Sequence, residues 1–370
     1  MPSQSTQTLL LSPAELDYLH TSLSQTPPLR PDGRQATQFR PLIAETSLLP
    51  STNGSARICW SEGEECIVGV KCEVERTLSS SSASLRGSGE DDLPRGDAGW
   101  VSLSIEIPGR RDDDALPVFL GSMLTEALVQ GGFLPRRLVI NRLWHWRIWI
   151  DILLLSAPLS YPLPLLSLTT HLALLDTRLP RLISMDEEDP LFDDDWDAAV
   201  RLYSTISLTG ATTQTQNPEP RPPITLLVTV INNKILFDPS KEELAVADAV
   251  VAVSLAITES SQTSGDKAYS LLGIRTIDSP ARLTQHGVLD TDNPAITANE
   301  ANTKRNNPNA KANAAKSTQS KHEGVWTPPV GGMSRSIMGR IVALCISGGA
   351  TGEGVAAEVF EGLEGFATHN

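Results

Sequence analysis

Several side chains are of types, and at spacings, that could do chemistry. The acidic run Asp186, Glu187, Glu188, Asp189, Asp193, Asp194, Asp195 and Asp197 could gather a hard divalent cation, which takes oxygen ligands. Asp193 to Asp195 are consecutive, however, and converge on one ion only through a special turn, so a solvated loop is the plainer reading. Asp151 lies in the apolar stretch 143–155 and could act as a general acid. A buried aspartate that ties down backbone or an arginine explains it without chemistry. His145 and His171 have no accompanying nucleophile motif and read as packed or surface imidazoles. Arg110 and Arg111, just past Pro108-Gly109, are adjacent cations that could touch a polyanion, with ordinary surface arginines as the alternative. Trp144, Trp146 and Trp149 could stack bases, but a continuous apolar strand places them in a core or a subunit interface. In Arg30-Pro31-Asp32-Gly33-Arg34 the central Pro-Asp-Gly sets a tight turn, and the arginines pair with nearby carboxylates or a neighbour. Lys71 and Glu73 read as a buried lysine–glutamate register on a two-stranded ribbon.

Charge limits what these groups can do. The net charge of −14 has the wrong sign for a protein that binds nucleic acid alone through a broad basic face. Any RNA contact must be local, or shared with partners that supply the positive field. Cys59, Cys66, Cys72 and Cys345 form no CxxC and meet no histidine pair at ligand spacing, which argues against zinc. Nor do they suggest a disulfide framework, so they read as small thiols in a reducing compartment. No metal or cofactor is expected. The N-terminus lacks the pattern of a secretory signal. The uncharged stretch 152–170 carries Pro158, Pro162 and Pro164, which split it into a strand end and a helix start rather than a membrane span.

The elements that must position these groups follow from capping and periodicity. Ser12-Pro13-Ala14-Glu15 predicts a capped helix with Leu16, Leu19 and Leu23 on one face, ended by Pro27 and Pro28. Strands are predicted over 39–47, 55–60, 65–76 and 100–107, with Glu62-Gly63 as a hairpin turn. Residues 79–97 read as a mobile insertion. A helix over 116–129 presents Leu120, Leu124 and Leu128, and Gly131-Gly132 stops it. Residues 143–155 read as a central strand apolar on both faces, and 163–179 as a second helix closed by Pro180. Past a Pro-rich link over 217–223, strands are predicted over 224–231, 235–237, 247–255 and 268–276, with Asn232-Asn233 turning the first hairpin. Helices over 333–345 and 354–366 close the chain. The expected organisation is an N-terminal helix and linker (1–28), a first half (29–200), a second half (217–289), a disordered insertion (290–321) and C-terminal helices (325–370). Two similar β-rich halves, each covered by helices, make an α+β layered architecture.

The ordered set Arg30-Pro31-Asp32-Gly33-Arg34, Asn53-Gly54-Ser55-Ala56-Arg57 and Gly69-Val70-Lys71-Cys72-Glu73 resembles the opening of the RNase PH family. The stretches 149–155, 173–181, Asp186-Glu187-Glu188, 228–230 and 237–243 are similar to the ribosomal RNA-processing protein 42 branch of the eukaryotic exosome ring. The resemblance implies the RNase PH fold, a duplicated sheet-and-helix arrangement of the ribosomal protein S5 domain 2 type. It makes Arg30, Asp32, Gly33, Arg34, Gly54, Ser55, Lys71, Glu73 and Asp151 family-motif structural residues. It also aims the Arg110–Arg111 loop at a central RNA channel. The implied partners are other RNase PH-like subunits in a hetero-hexameric ring, S1/KH cap proteins, a hydrolytic exonuclease and threaded single-stranded RNA, with no membrane. The implied setting is RNA processing, surveillance and turnover in nucleus, nucleolus and cytoplasm.

Active members of the family place a phosphate beside an RNA phosphodiester, which requires clustered cations and an anion cradle. Their cationic helix corresponds to 116–129, which here holds no Arg or Lys. Their Gly-Gly-Thr-Arg cradle corresponds to 160–167, which here lacks both glycine and arginine. Their aspartate before the next strand is replaced by Arg221-Pro222-Pro223. The expectation is therefore a non-catalytic ring subunit with no catalytic residues. The rivals are an active phosphate-dependent 3′-to-5′ exoribonuclease, another position in the same ring, and a free-standing RNA-binding protein.

Overall fold

The computed structural model describes residues 11–77, 96–184, 189–204, 221–258, 268–287, 325–347 and 354–367. The expected insertions at 79–97 and 290–321 and most of the 217–223 link lie largely or wholly outside them, as do Asp186, Glu187 and Glu188. The chain divides into two compact units. One comprises residues 1–38, 228–250 and 276–337, and the other 39–227, 251–275 and 338–370.

The larger unit is built on a five-stranded sheet of order β1-β2-β3-β5-β4, with β1 Leu42–Thr46, β2 Gly54–Trp60, β3 Glu65–Arg76, β4 Val101–Glu106 and β5 Trp144–Leu154. Neighbours are antiparallel except β4 and β5, which run parallel. Parallel pairing requires a crossover, and the chain between these strands supplies helices α2 (Ala115–Gln130) and α3 (Phe133–Arg137). Helix α4 (Leu163–Asp176) packs on β2 and β3, and α2 packs on β4. Ile148, Ile150 and Ile152 of β5 face this helical layer and are buried.

Three expectations are corrected here. Strand β5 is not apolar on both faces: burial alternates, and Asp151 and Leu153 are exposed. One face of the sheet is open, so the alternating side chains need not all be apolar. The second helix ends at Asp176 rather than Leu179, since Arg178–Leu179 form β6, paired with β7 (Val200–Arg201). Helix α1 (Pro13–Leu23) has its capping box at Ser12 and Glu15 but stops before the two prolines, with the Ser24 N–H closing onto His20.

Helix α4 is buried from Leu163 through Leu175, polar residues included. Its hydroxyls are satisfied locally: Thr169 and Thr170 donate to the carbonyls of Leu165 and Leu166, each at 2.7 Å. Ser167 Oγ accepts the Thr225 N–H at 2.7 Å, which fastens the first turn of β8 (Ile224–Ile231) to the helix. Helix α7 (Val355–Ala367) also packs on α4.

A second sheet has the order β11-β10-β8-β9, with β9 Lys234–Phe237, β10 Ala249–Thr258 and β11 Ala268–Ile277. The unit boundaries fall within β8, β10 and β11. Asn232 and Asn233 both take positive φ, 43° and 65°, as a two-residue hairpin turn between β8 and β9 demands. Short helix α5 (Lys241–Leu244) follows, capped by Ser240 and Glu243, and α6 (Arg335–Ser347) precedes α7.

Candidate nucleic-acid interface

The Arg30–Arg34 turn is locked to a segment about 200 residues away. Arg30, 6% exposed, meets the buried Glu243 carboxylate with Nε at 2.7 Å and a terminal nitrogen at 2.8 Å. Its remaining donors reach the carbonyls of Gln35, Gln38, Phe237 and Asp238. Arg34 joins Asp32 at 2.5 Å and Asp238 at 2.9 Å. The Arg30 carbonyl accepts the Gly33 N–H at 3.1 Å, and Gly33 sits at φ 74°, a conformation natural to glycine. Asp32 loses solvent in this cluster, but its bonds to Arg34 prevail and hold its carboxyl below the ordinary range. No donor of Arg30 is left over for RNA.

The Asn53-Gly54-Ser55 motif fastens β2 to the end of α4. A Cβ on Gly54 would lie 2.5 Å from the Thr177 backbone, so only glycine fits. Asp176 accepts from the backbone N–H of Ser47 and of Ser55, both at 3.1 Å, and from Ser47 Oγ at 2.7 Å. These bonds, with the β6–β7 pairing that follows, end the helix here.

Lys71 and Glu73 are exposed on β3, not buried. Alternation along the strand puts Val70 and Cys72 inside and both charges on the open face, where Lys71 Nζ donates to the Ser51 carbonyl at 3.2 Å. Asp151 lies on the same open face and accepts from Ser104 Oγ at 2.6 Å. It ties down a hydroxyl rather than an arginine, and it is not buried.

The arginine loop is nearly self-neutral. Arg110 N–H closes a turn onto the Ile107 carbonyl at 3.0 Å. The Arg111 side chain is 82% exposed but forms a two-pronged pair with Asp113 at 2.9 and 3.1 Å. Asp112 and Asp114 flank them. Among the described residues Arg110 keeps the one unpaired guanidinium of this loop.

The loop before α4, where the resemblance would place the anion cradle, binds a carboxylate of this chain. Glu64, 1% exposed, accepts the N–H groups of Leu159 and Ser160 at 2.5 and 2.8 Å. Arg40 completes the cluster, 3.1 Å from Glu64 and 3.0 Å from Ser160 Oγ, with its guanidinium 3.8 Å above the Trp60 ring. Sequence reading passed over this cluster, and Arg40 and Glu64 carried no signal beyond being charges beside an apolar strand. Helix α2 presents no cation, and the cleft between it and β4 is edged by Glu106, Asp112 and Glu126. Arg221, before β8, is paired with Glu364 at 3.1 Å.

His171 is fully buried, and burial pushes its pKa down to about 3. Its Nδ1 lies 2.8 Å from the Pro222 carbonyl, which can only accept, so Nδ1 carries the proton and Nε2 is bare. Neutral and enclosed, it cannot serve as a solvent-facing base. Burial likewise lowers the pKa of His145, which stacks on Trp100 at 4.1 Å. Trp146 is buried against Phe192 at 5.0 Å, while Trp149 lies half-buried under the Arg147 guanidinium. Cys66, Cys72 and Cys345 are buried, and burial raises each thiol pKa to about 12. Asp193, Asp195 and Asp197 accept or donate within their own turn, and no acidic, histidine or cysteine group among the described residues is arranged to hold a metal.

No family model matches the chain. It is 33% identical over 250 residues to exosome complex component RRP42 of Saccharomyces cerevisiae, covering 66% of this chain and 81% of that protein. The chain belongs to the RRP42 family of exosome complex components. It is also 29% identical over 273 residues to RRP42 of Schizosaccharomyces pombe, covering 70% of this chain and 81% of that relative. Among solved structures it is similar to an archaeal exosome core (TM-score 0.46, 18% identity, 71% of this chain and 84% of the other). It is likewise similar to the Archaeoglobus fulgidus exosome with RNA bound to the active site (TM-score 0.46, 18% identity, 71% and 87%). The family assignment rests on the RRP42 relatives.

Proposed function

We propose that this RRP42-family chain is a non-catalytic structural subunit of the exosome core ring, supporting 3′-to-5′ RNA processing and degradation by helping to form the channel. The observation that carries the non-catalytic half of this reading is Glu64. Its carboxylate takes two backbone donors of the loop before α4, the N–H groups of Leu159 and Ser160, where phosphorolysis would need donors free for phosphate. A second anion there would face a buried like charge. Nothing about the chain favours the active exoribonuclease.

In this reading residues 29–200 and 217–289 form the two RNase PH-like halves, and 325–370 add the closing helices. The ring neighbours are other RNase PH-like chains. S1/KH proteins cap one face and a hydrolytic nuclease receives the RNA, in nucleus, nucleolus and cytoplasm. Arg110 is the side chain offered to RNA inside the channel, and Arg111 contributes only if Asp113 releases it. The test is reconstitution with the sister subunits followed by native mass spectrometry. One copy of this chain per six-membered ring is expected; a homo-oligomer, or no association, would contradict the assignment.

A further inference from the structure

Beyond its place in the ring, the larger unit carries a groove of about 690 Å³ between β4 and α2. Four consecutive residues of β4, Leu103 to Glu106, line it. Successive strand side chains point to opposite faces, so a groove touched by all four must run along the edge of the strand. That edge is free from Ser102 onward: β4 is terminal in its sheet, the Val101 N–H closes onto Ala98, and among the described residues 102–106 make no backbone hydrogen bonds beyond those to β5. An unpaired strand edge is a template for a further strand. The opposite wall, on α2, offers Val118 (57% exposed) near its start and Val129 about three turns on, with Pro117, Gly121, Ser122, Thr125 and Glu126 between or beside them.

Charge selects the occupant. Glu106 and Asp112 edge the groove, both exposed and without a partner among the described residues, whereas Glu126 is neutralised by Arg275. No lysine or arginine lines the groove. A phosphate-bearing strand of RNA is repelled here. An extended peptide can satisfy the β4 edge with its main chain, Val118 and Val129 with aliphatic side chains, and the carboxylates with Lys or Arg. We propose that the β4–α2 groove docks an extended segment of another protein, alternating aliphatic and cationic residues, by strand addition to β4.

The test uses the full chain and a fluorescein-labelled peptide, Val-Arg-Val-Lys-Val-Arg, read by fluorescence anisotropy at physiological salt. A Glu106→Gln/Asp112→Asn double variant should weaken binding at least about tenfold, and Val118→Ser, which removes the apolar contact without adding charge, should weaken it severalfold. Asp194→Asn/Asp195→Asn, which removes exposed acidic charge elsewhere, should leave affinity unchanged. Equal affinity of wild type and the Glu106/Asp112 variant would overturn the proposal. So would equal losses in both acidic pairs, which would mean unspecific attraction to a chain of net charge −14. An RNA oligonucleotide that competes for the groove would also overturn it. None of these results bears on ring assembly, which native mass spectrometry reads separately.

Discussion

Arg30 shows what a family motif does when it is not chemical. Each of its donors has an acceptor inside the protein, and its partner Glu243 is wholly enclosed. Removing one member of such a pair leaves the other charged and dry, so Arg30→Ala should lower stability by about 3–5 kcal/mol in urea unfolding. Arg30→Lys should fail to restore it, because an ammonium cannot make the two-pronged contact. A loss within the noise for Arg30→Ala would mean that the turn is not strapped to α5 as described. His171 gives a pH prediction. Its pKa of about 3 in the fold lies below the ordinary 6.5, so between these values the unfolded chain binds the extra proton. Stability is therefore full above pH 6.5 and is lost as pH falls toward 3. From pH 7 to 5 this residue should cost roughly 2 kcal/mol. His171→Asn, whose amide can still donate to Pro222, should flatten that slope; an unchanged slope would place the acid sensitivity elsewhere.

Gly54 and Asp176 set the junction between sheet and helix. Gly54→Ala drives a methyl group into the Thr177 backbone and should destabilise the chain by about 1–3 kcal/mol, measured by thermal unfolding. A neutral effect would mean that β2 and the end of α4 are not packed this closely. The same junction marks where sequence reading reached its limit. The strands over 65–76 and 224–231 were legible to the residue, because alternation or unbroken apolar runs between turn signals mark them. The end of α4 was not, since Leu179 continues the apolar pattern. The close approach of Thr177 to Gly54, the bonds to Asp176 and the pairing of Arg178 and Leu179 with Asn53 and β7 stop the helix. Lys71, Glu73 and Asp151 were misplaced for a related reason: a strand's apolar neighbours do not reveal which of its faces is covered. The pairing of Arg30 with Glu243 spans 213 positions, and no local pattern can announce it.

At the scale of the molecule, charge and site agree. A chain of net charge −14 should hold single-stranded RNA weakly by itself at physiological salt, and a gel shift with the isolated chain should show little complex. Nanomolar binding by the lone chain would contradict that expectation. The RRP42 relatives supply the family, while the proposed non-catalytic role rests on the loop before α4, the cation-free helix α2 and the paired Arg221. The most direct test adds inorganic phosphate and 5′-labelled RNA to the purified full chain and follows the RNA length and released nucleotides. The account predicts intact RNA and no nucleoside diphosphate. Stepwise shortening from the 3′ end with diphosphate release, abolished when phosphate is omitted, would contradict it.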